Sequence, residues 1–99
     1  MSFVAAQFNL PTVVRAYTSV QASLDVEADP RETIDAEIVL VAPDGTRTTI
    51  LRGYHSTNPG GETSISFTAT FGAPGEYRIE ANLNAPTWTE QVTFDVRAS

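Results

Sequence analysis

The sequence of 99 residues contains neither cysteine nor lysine. Without cysteine the chain can form no disulfide framework and no thiolate metal site, and catalysis by a thiolate is excluded. A chain of this length buries roughly two-thirds of the surface that its unfolded form exposes, which is enough for one core without covalent cross-links. We therefore expect residues 1–99 to form a single domain.

Positive charge is scarce, since six arginines face twelve acidic residues and the formal net charge is −6. A negative field repels nucleic acid and anionic membranes, so we expect neither as a partner. No apolar run approaches the length of about 18 residues that spans a membrane. The first residues, Met-Ser-Phe-Val-Ala-Ala-Gln, also lack the basic and apolar regions of a signal peptide. These features predict synthesis in the cytoplasm without export by such a signal.

Residues suited to catalysis are few. The single histidine, His55, lies beside Ser56 in a predicted loop over residues 53–62. Adjacent side chains rarely point together, so this pair is a poor nucleophile and base. The acidic residues mostly alternate outward on predicted strands, without the apolar pocket that raises the pKa of a catalytic acid. We expect no enzyme activity, no cofactor and no small-molecule substrate.

Turn-forming residues occur at short intervals, and the segments between them are rich in Val, Ile, Thr, Phe and Tyr. Apolar and polar residues alternate within these segments, as they do in half-buried strands. We expect Pro11 to break the first strand, the way an edge strand moves from one sheet to another. The predicted strands cover residues 3–9 with a continuation at 12–16, then 19–27, 34–42, 46–54, 63–71, 76–83 and 87–96.

The tripeptide Gly75-Glu76-Tyr77 opens a strand in which Tyr77, Ile79, Ala81 and Leu83 alternate with polar residues. It resembles the corner before strand F of immunoglobulin-like and fibronectin-type domains. The resemblance implies an all-β, immunoglobulin-like two-sheet Greek-key sandwich of about seven antiparallel strands, in which the Tyr77 hydroxyl bonds to backbone upstream. The chain departs from the antibody type because it has no cysteine pair and its one tryptophan, Trp88, lies on the last predicted strand. A β-barrel is the alternative fold.

Acidic residues are concentrated between positions 25 and 37. Asp25, Glu27 and Asp29 are weak candidates for ligands of a hard cation such as calcium, which takes six to eight oxygens. The pattern does not match an EF-hand loop, and a hydrated acidic rim explains it better. We therefore predict no metal site.

Two apolar segments are candidates for contact with another protein. Val39 and Val41 lie on the outward side of a strand whose inward side is already apolar. Phe3, Phe8 and Leu10 belong to an apolar first segment that could add to a neighbouring subunit as a strand. In both cases packing within the chain is the alternative.

A small Ig-like domain without cysteine or signal peptide and rich in Thr also resembles virion proteins of tailed bacteriophages, especially decoration and tail-associated proteins. That resemblance implies a non-enzymatic module in the virion that docks on a protein lattice, such as the major capsid or tail protein, or associates with itself. The alternative is an adhesion or carbohydrate-binding module from a longer bacterial surface protein. Sugar binding favours several aromatics on one exposed face, whereas Tyr17, Tyr54 and Trp88 lie on separate strands.

Overall fold

The computed structural model describes residues 3–99. This part of the chain consists of β-strands joined by turns and loops. The strands are β1 (Ala5–Asn9), β2 (Val13–Val14), β3 (Ser19–Glu27), β4 (Thr33–Val41), β5 (Arg47–Ser56), β6 (Glu62–Thr70), β7 (Gly75–Asn84) and β8 (Thr89–Ala98).

The strands form two sheets that pack face to face. One sheet has the order β1-β3-β6 and the other the order β2-β8-β7-β4-β5. All neighbours are antiparallel except β2 and β8, which run parallel over Val13–Val14 and Arg97–Ala98. The chain passes from one sheet to the other between β3 and β4, β5 and β6, and β6 and β7, which is a Greek-key sandwich and confirms the predicted fold class.

The first strand changes sheets at Pro11, as the sequence predicted. β1 pairs with β3 in the smaller sheet, whereas β2 joins the edge of the larger sheet. Proline has no N–H to donate to a ladder and fixes its own φ, so the extended pairing ends there. Arg97 then donates to the Thr12 carbonyl at 2.8 Å and Ser99 to the Val14 carbonyl at 3.0 Å, which fixes the second half of the segment.

The core lies between the sheets and is built from alternate residues of the long strands. On β3 the buried side chains are Leu24 and Val26, and on β6 they are Ile65, Phe67 and Ala69. The period of two in the sequence therefore becomes one apolar and one polar face of each sheet.

Two predictions about local structure were wrong. β5 continues to Ser56, so His55 lies on a strand rather than in a loop. A bulge opposite Ile38 and Val39 inserts an extra residue into this strand. Chain ends are commonly disordered, which predicts disorder at Met1, Ser2 and residues 97–99, but Arg97 and Ala98 belong to β8. The disorder expected at Met1 and Ser2 lies outside the described residues.

The sandwich is elongated, with extents of 40 × 20 × 18 Å. Phe3, the loop between β3 and β4, and the loop between β7 and β8 lie at one end, called pole A here. Ser99 and the β4–β5 hairpin lie at the other end, pole B, since Ser99 is bonded to Val14 and Ala16 beside the end of β8. Residues 3–99 contain no helix with the length and apolarity needed to cross a membrane.

Candidate functional site

Tyr77 ties the loop before β7 to the core. Its ring is buried edge-on against Phe71, with ring centroids 5.2 Å apart. Its hydroxyl donates to the Ala73 carbonyl at 2.7 Å and accepts from the Gly72 N–H at 3.1 Å. This is the arrangement of a tyrosine corner. The hydroxyl thus has a partner both as donor and as acceptor, so Tyr77 serves the fold and offers nothing to a ligand.

Gly75 allows the same corner to approach the neighbouring hairpin. Its φ is +152°, and a Cβ at this position would lie 2.6 Å from Pro43 Cγ. No side chain could be added without moving Pro43. The β4–β5 hairpin that contains Pro43 is closed by Asp44, whose Oδ1 accepts from the Thr46 N–H at 2.9 Å. That bond lowers the pKa of the Asp44 carboxyl.

Thr57 organises the loops at pole A. It is 4% exposed, and its hydroxyl donates to the Asp29 carbonyl at 2.5 Å and accepts from the Glu32 N–H at 2.7 Å. The carboxylate of Glu32 accepts from Trp88 Nε1 at 2.7 Å, and the Trp88 ring lies 5.4 Å from that of Phe3. These contacts fix the conformation of the acidic loop between β3 and β4.

The acidic residues between positions 25 and 37 do not converge. Asp25 and Glu27 are on the outer face of β3, whereas Asp35 and Glu37 are on the outer face of β4 in the other sheet. Asp25 accepts from Asn9 Nδ2 at 2.8 Å. Within residues 3–99 no three His, Cys, Asp or Glu side chains lie close enough together to hold a metal ion. Asp25, Glu27 and Asp29 are therefore not assembled into a calcium site.

A shallow groove of about 410 Å³ runs across the pole A end of the smaller sheet. Glu27 and Glu62 face each other in register on neighbouring strands of its floor, and no ion pair neutralises either of them among the described residues. The groove is polar and open, which distinguishes it from the concave apolar pockets that bind small molecules. Its lining residues are Ala5, Ala6, Gln7, Asp25, Val26, Glu27, Asn58, Glu62, Thr63 and Ser64.

The outer face of the larger sheet does not present Val39. This side chain is 4% exposed and lies outside the main core cluster. Thr49 and Glu80 flank it in register, and Glu80 accepts from Arg47 Nη2 at 2.5 Å across the face. The hydrogen bond with Glu80 raises the pKa of the Arg47 guanidinium. Val39 is therefore covered within the chain, and only the half-buried Val41 is left of this candidate surface.

The apolar first segment also packs mostly within the chain. Phe8 is buried, with its ring 6.1 Å from Phe67 and 5.9 Å from Phe94. Phe3 and Leu10 are partly buried against the core. Because Phe8 joins the two sheets, it cannot also serve as an exposed anchor for a partner. A contact with another protein through Phe3 or Leu10 stays a prediction.

His55 and Ser56 cannot act as a nucleophile and base. They are neighbours on β5, and successive side chains of a strand point to opposite faces. His55 stands in register with the buried Ile34 on β4. The strand therefore directs the imidazole of His55 and the hydroxyl of Ser56 to opposite faces of the sheet.

The exposed aromatic residues are far apart. Tyr54, near pole A, and Tyr17, in the turn before β3 at pole B, are each 75% exposed. Trp88 is half-buried and held by Glu32. The described residues therefore offer no row of aromatic rings on which a sugar chain could stack.

Sequence reasoning missed Thr57 and Glu80. Both are polar residues with side chains that are largely buried, and their partners lie 25 to 33 positions away in the chain. Each occurs at a position where the alternating pattern predicts a solvated side chain or a loop. No local signal in the sequence distinguishes them.

Similar folds occur among solved structures of other proteins. No family model matches the chain, and no curated protein matches it. The CARDB domain of the PF1109 protein from Pyrococcus furiosus, in complex with di-metal ions, is 19% identical with a TM-score of 0.74, covering 95% of this chain and 85% of that one. A solution structure of this CARDB domain is 21% identical with a TM-score of 0.67, covering 94% and 91%.

A third similar structure is the PKD domain of an M14-like peptidase from a Thermoplasmatales archaeon. It is 15% identical with a TM-score of 0.73, and the alignment covers 99% of this chain and 96% of that one. At these identities the likeness establishes an immunoglobulin-like sandwich and nothing finer. None of these three structures is a phage protein, so the resemblance to virion proteins has no support from them.

Proposed function

We propose that this chain is a non-catalytic immunoglobulin-like module that works in line within a larger surface protein, as a spacer or adhesion domain. The observation that carries the proposal is the position of its ends. Phe3 lies beside Trp88 at pole A, and Ser99 is bonded to Val14 and Ala16 at pole B. A polypeptide that enters at one end of a 40 Å sandwich and leaves at the other can be joined to further domains without folding back.

The chemistry of the surface supports the same function. The outer faces of both sheets are polar, and cross-strand pairs such as Arg78–Asp95 and Arg97–Glu76 cover the larger one. Such faces keep a module soluble beside its neighbours without forming a catalytic or substrate pocket. The similar structures support it too, because both the CARDB and the PKD domain are named as domains of larger proteins.

The reading frame around residues 1–99 in the source genome tests this function. We expect it to encode further domains on at least one side and an export signal. A reading frame limited to these residues and flanked by capsid and tail genes would contradict the proposal and favour a virion protein.

A tandem of two copies tests the in-line geometry. Two copies joined by a short linker should give, in small-angle X-ray scattering, a particle nearly twice as long as the 40 Å axis with an unchanged cross-section. A tandem that folds back on itself, with its copies side by side, would show that the ends do not support an in-line arrangement.

A further inference from the structure

Among residues 3–99, strand β6 (Glu62–Thr70) pairs only with β3, because it is the last strand in the order β1-β3-β6. Two contacts just beyond the ends of the strand show which of its residues bond to β3. The Phe71 N–H donates to the Thr18 carbonyl at 2.9 Å, and the Ala28 N–H donates to the Gly61 carbonyl at 2.8 Å. Antiparallel pairs alternate between bonded and non-bonded, and the register between these contacts is unbroken. The odd-numbered residues of β6 therefore bond to β3, and the even-numbered ones direct N–H and C=O away from it.

The pole A end of this outward edge is closed by a loop. The Glu62 N–H donates to Asn58 Oδ1 at 3.0 Å, and the Glu62 carbonyl accepts from the Asn58 N–H at 2.8 Å. Beyond this point no strand in the described part of the chain pairs with the outward backbone groups of Ser64, Ser66, Thr68 and Thr70. They form an open edge, which we define by these four residues.

The open edge lacks the features that protect the other edges of the sandwich. β5 carries a bulge, two arginines and Gly53; β1 has only five residues and stops before Pro11, and β2 has two. In contrast, residues 63–71 contain no charge, proline or glycine. An unprotected edge of this kind is a template for another strand.

We propose that the open edge of β6 pairs antiparallel with the open edge of a second copy of this chain, with Ser66 on the two-fold axis. In this register Ser66 bonds to Ser66 of the other copy, and Ser64 bonds to Thr68. The pairs join small hydroxyl side chains, which are favourable neighbours across strands. The pairing ends at Ser64 and Thr68, because Asn58 already bonds the outward backbone groups of Glu62, so no two like charges meet. The edge is therefore self-complementary, as a two-fold interface requires.

Charge gives this dimer a recognisable dependence on salt. Each copy carries a net charge of −6, so two copies repel each other at long range while the paired edges themselves are uncharged. Salt screens this repulsion within about 8–10 Å at physiological ionic strength. Dimerisation should therefore strengthen as salt is added. A basic peptide bound at the same edge would instead be released by salt, and that result would overturn the proposal.

Amide hydrogen exchange on the single domain locates the interface directly. At low concentration the amides of Ser64, Ser66, Thr68 and Thr70 should exchange fast, whereas those of Ile65 and Phe67 are protected by β3. At high concentration the amides of Ser64, Ser66 and Thr68 should become protected, because only a partner strand can bond them. Protection that arises instead along β5, or fast exchange of these amides at every concentration, would overturn the proposal.

Two variants test the edge by different means, with one matched control. Ser66→Pro removes an N–H that the ladder with β3 does not use, and should weaken dimerisation on the order of tenfold in analytical ultracentrifugation. Ser66→Lys places two like charges on the axis and covers the case in which the proline variant does not fold. Gln21→Lys makes the same charge change on the same face, but on the inner strand β3.

The charge variants separate edge pairing from general electrostatics. Both lysines reduce the net negative charge equally, so long-range repulsion alone predicts equal strengthening of the dimer. We expect Ser66→Lys to weaken it and Gln21→Lys to leave it intact or strengthen it. Equal effects of the two lysines, or a wild-type chain that stays monomeric at high concentration and high salt, would overturn the proposal. Neither result bears on the in-line function, which the tandem measurement tests separately.

Discussion

The hydroxyl of Tyr77 joins two backbone groups of one loop to the core, through the Gly72 N–H and the Ala73 carbonyl. Tyr77→Phe keeps the ring against Phe71 and leaves both backbone groups without this partner. We expect the free energy of unfolding to fall by about 1–2 kcal/mol in urea denaturation. Tyr54→Phe is the control, because Tyr54 is exposed, and its loss should be close to zero. Equal stability of the two variants would show that the corner does not contribute.

Gly75 differs from Gly53 in both conformation and space. A Cβ on Gly75 would meet Pro43 Cγ at 2.6 Å with φ at +152°, whereas a Cβ on Gly53 meets nothing within 4 Å. Gly75→Ala should therefore destabilise the fold by about 1–3 kcal/mol, since strain of this kind persists only where its surroundings enforce it. Gly53→Ala should stabilise the fold by about 0.4–1 kcal/mol, because alanine lowers the conformational entropy of the unfolded chain. Thermal melts of the two variants should shift in opposite directions, and a shared sign would contradict this account.

At the scale of elements, the strands were predictable because the alternation that marks each strand lies within its own residues. β3 (Ser19–Glu27) was predicted with its observed bounds, since its alternation is unbroken, and the sheet change at Pro11 follows from a missing N–H. The register of β5 was not predictable, because a bulge opposite Ile38 and Val39 inserts an extra residue into this strand. The cover over Val39 also depends on Arg47 and Glu80, which are 33 positions apart.

The outer face of β4 allows a test of that cover. Val39→Asp would place a carboxylate beside Glu80 in a buried position, and should cost on the order of 2–4 kcal/mol from lost apolar burial and an unfavourable charge. Val41→Asp is the matched control on the same face. Val41 is half-buried and stands in register between Arg47 and Arg78, so its carboxylate has cations nearby and should cost little. Similar losses in denaturant for both variants would show that Val39 is not specifically covered.

At the scale of the whole molecule, the net charge of −6 opposes compaction, but the repulsion is not evenly distributed. Arginines pair with Glu76, Glu80 and Asp95 on the larger sheet. Glu27 and Glu62 face each other in register on the smaller sheet, and neither is paired with an arginine within residues 3–99. Like charges directly opposite each other on neighbouring strands are destabilising by a few tenths of a kcal/mol to about 1 kcal/mol. The repulsion should therefore concentrate at the pole A end of β3 and β6.

Two substitutions with the same charge change distinguish local from overall repulsion. Glu62→Gln removes one member of the facing pair and should raise the melting temperature at low salt, with a smaller gain at high salt, where screening already weakens the repulsion. Glu76→Gln removes a carboxylate that accepts from Arg97 Nε at 3.0 Å, and should leave the melting temperature unchanged or lower it. If overall charge alone governed stability, both variants would gain equally, because each changes the net charge by one. Melts at low and high salt decide between the two, and equal gains would show that the facing carboxylates have no special effect.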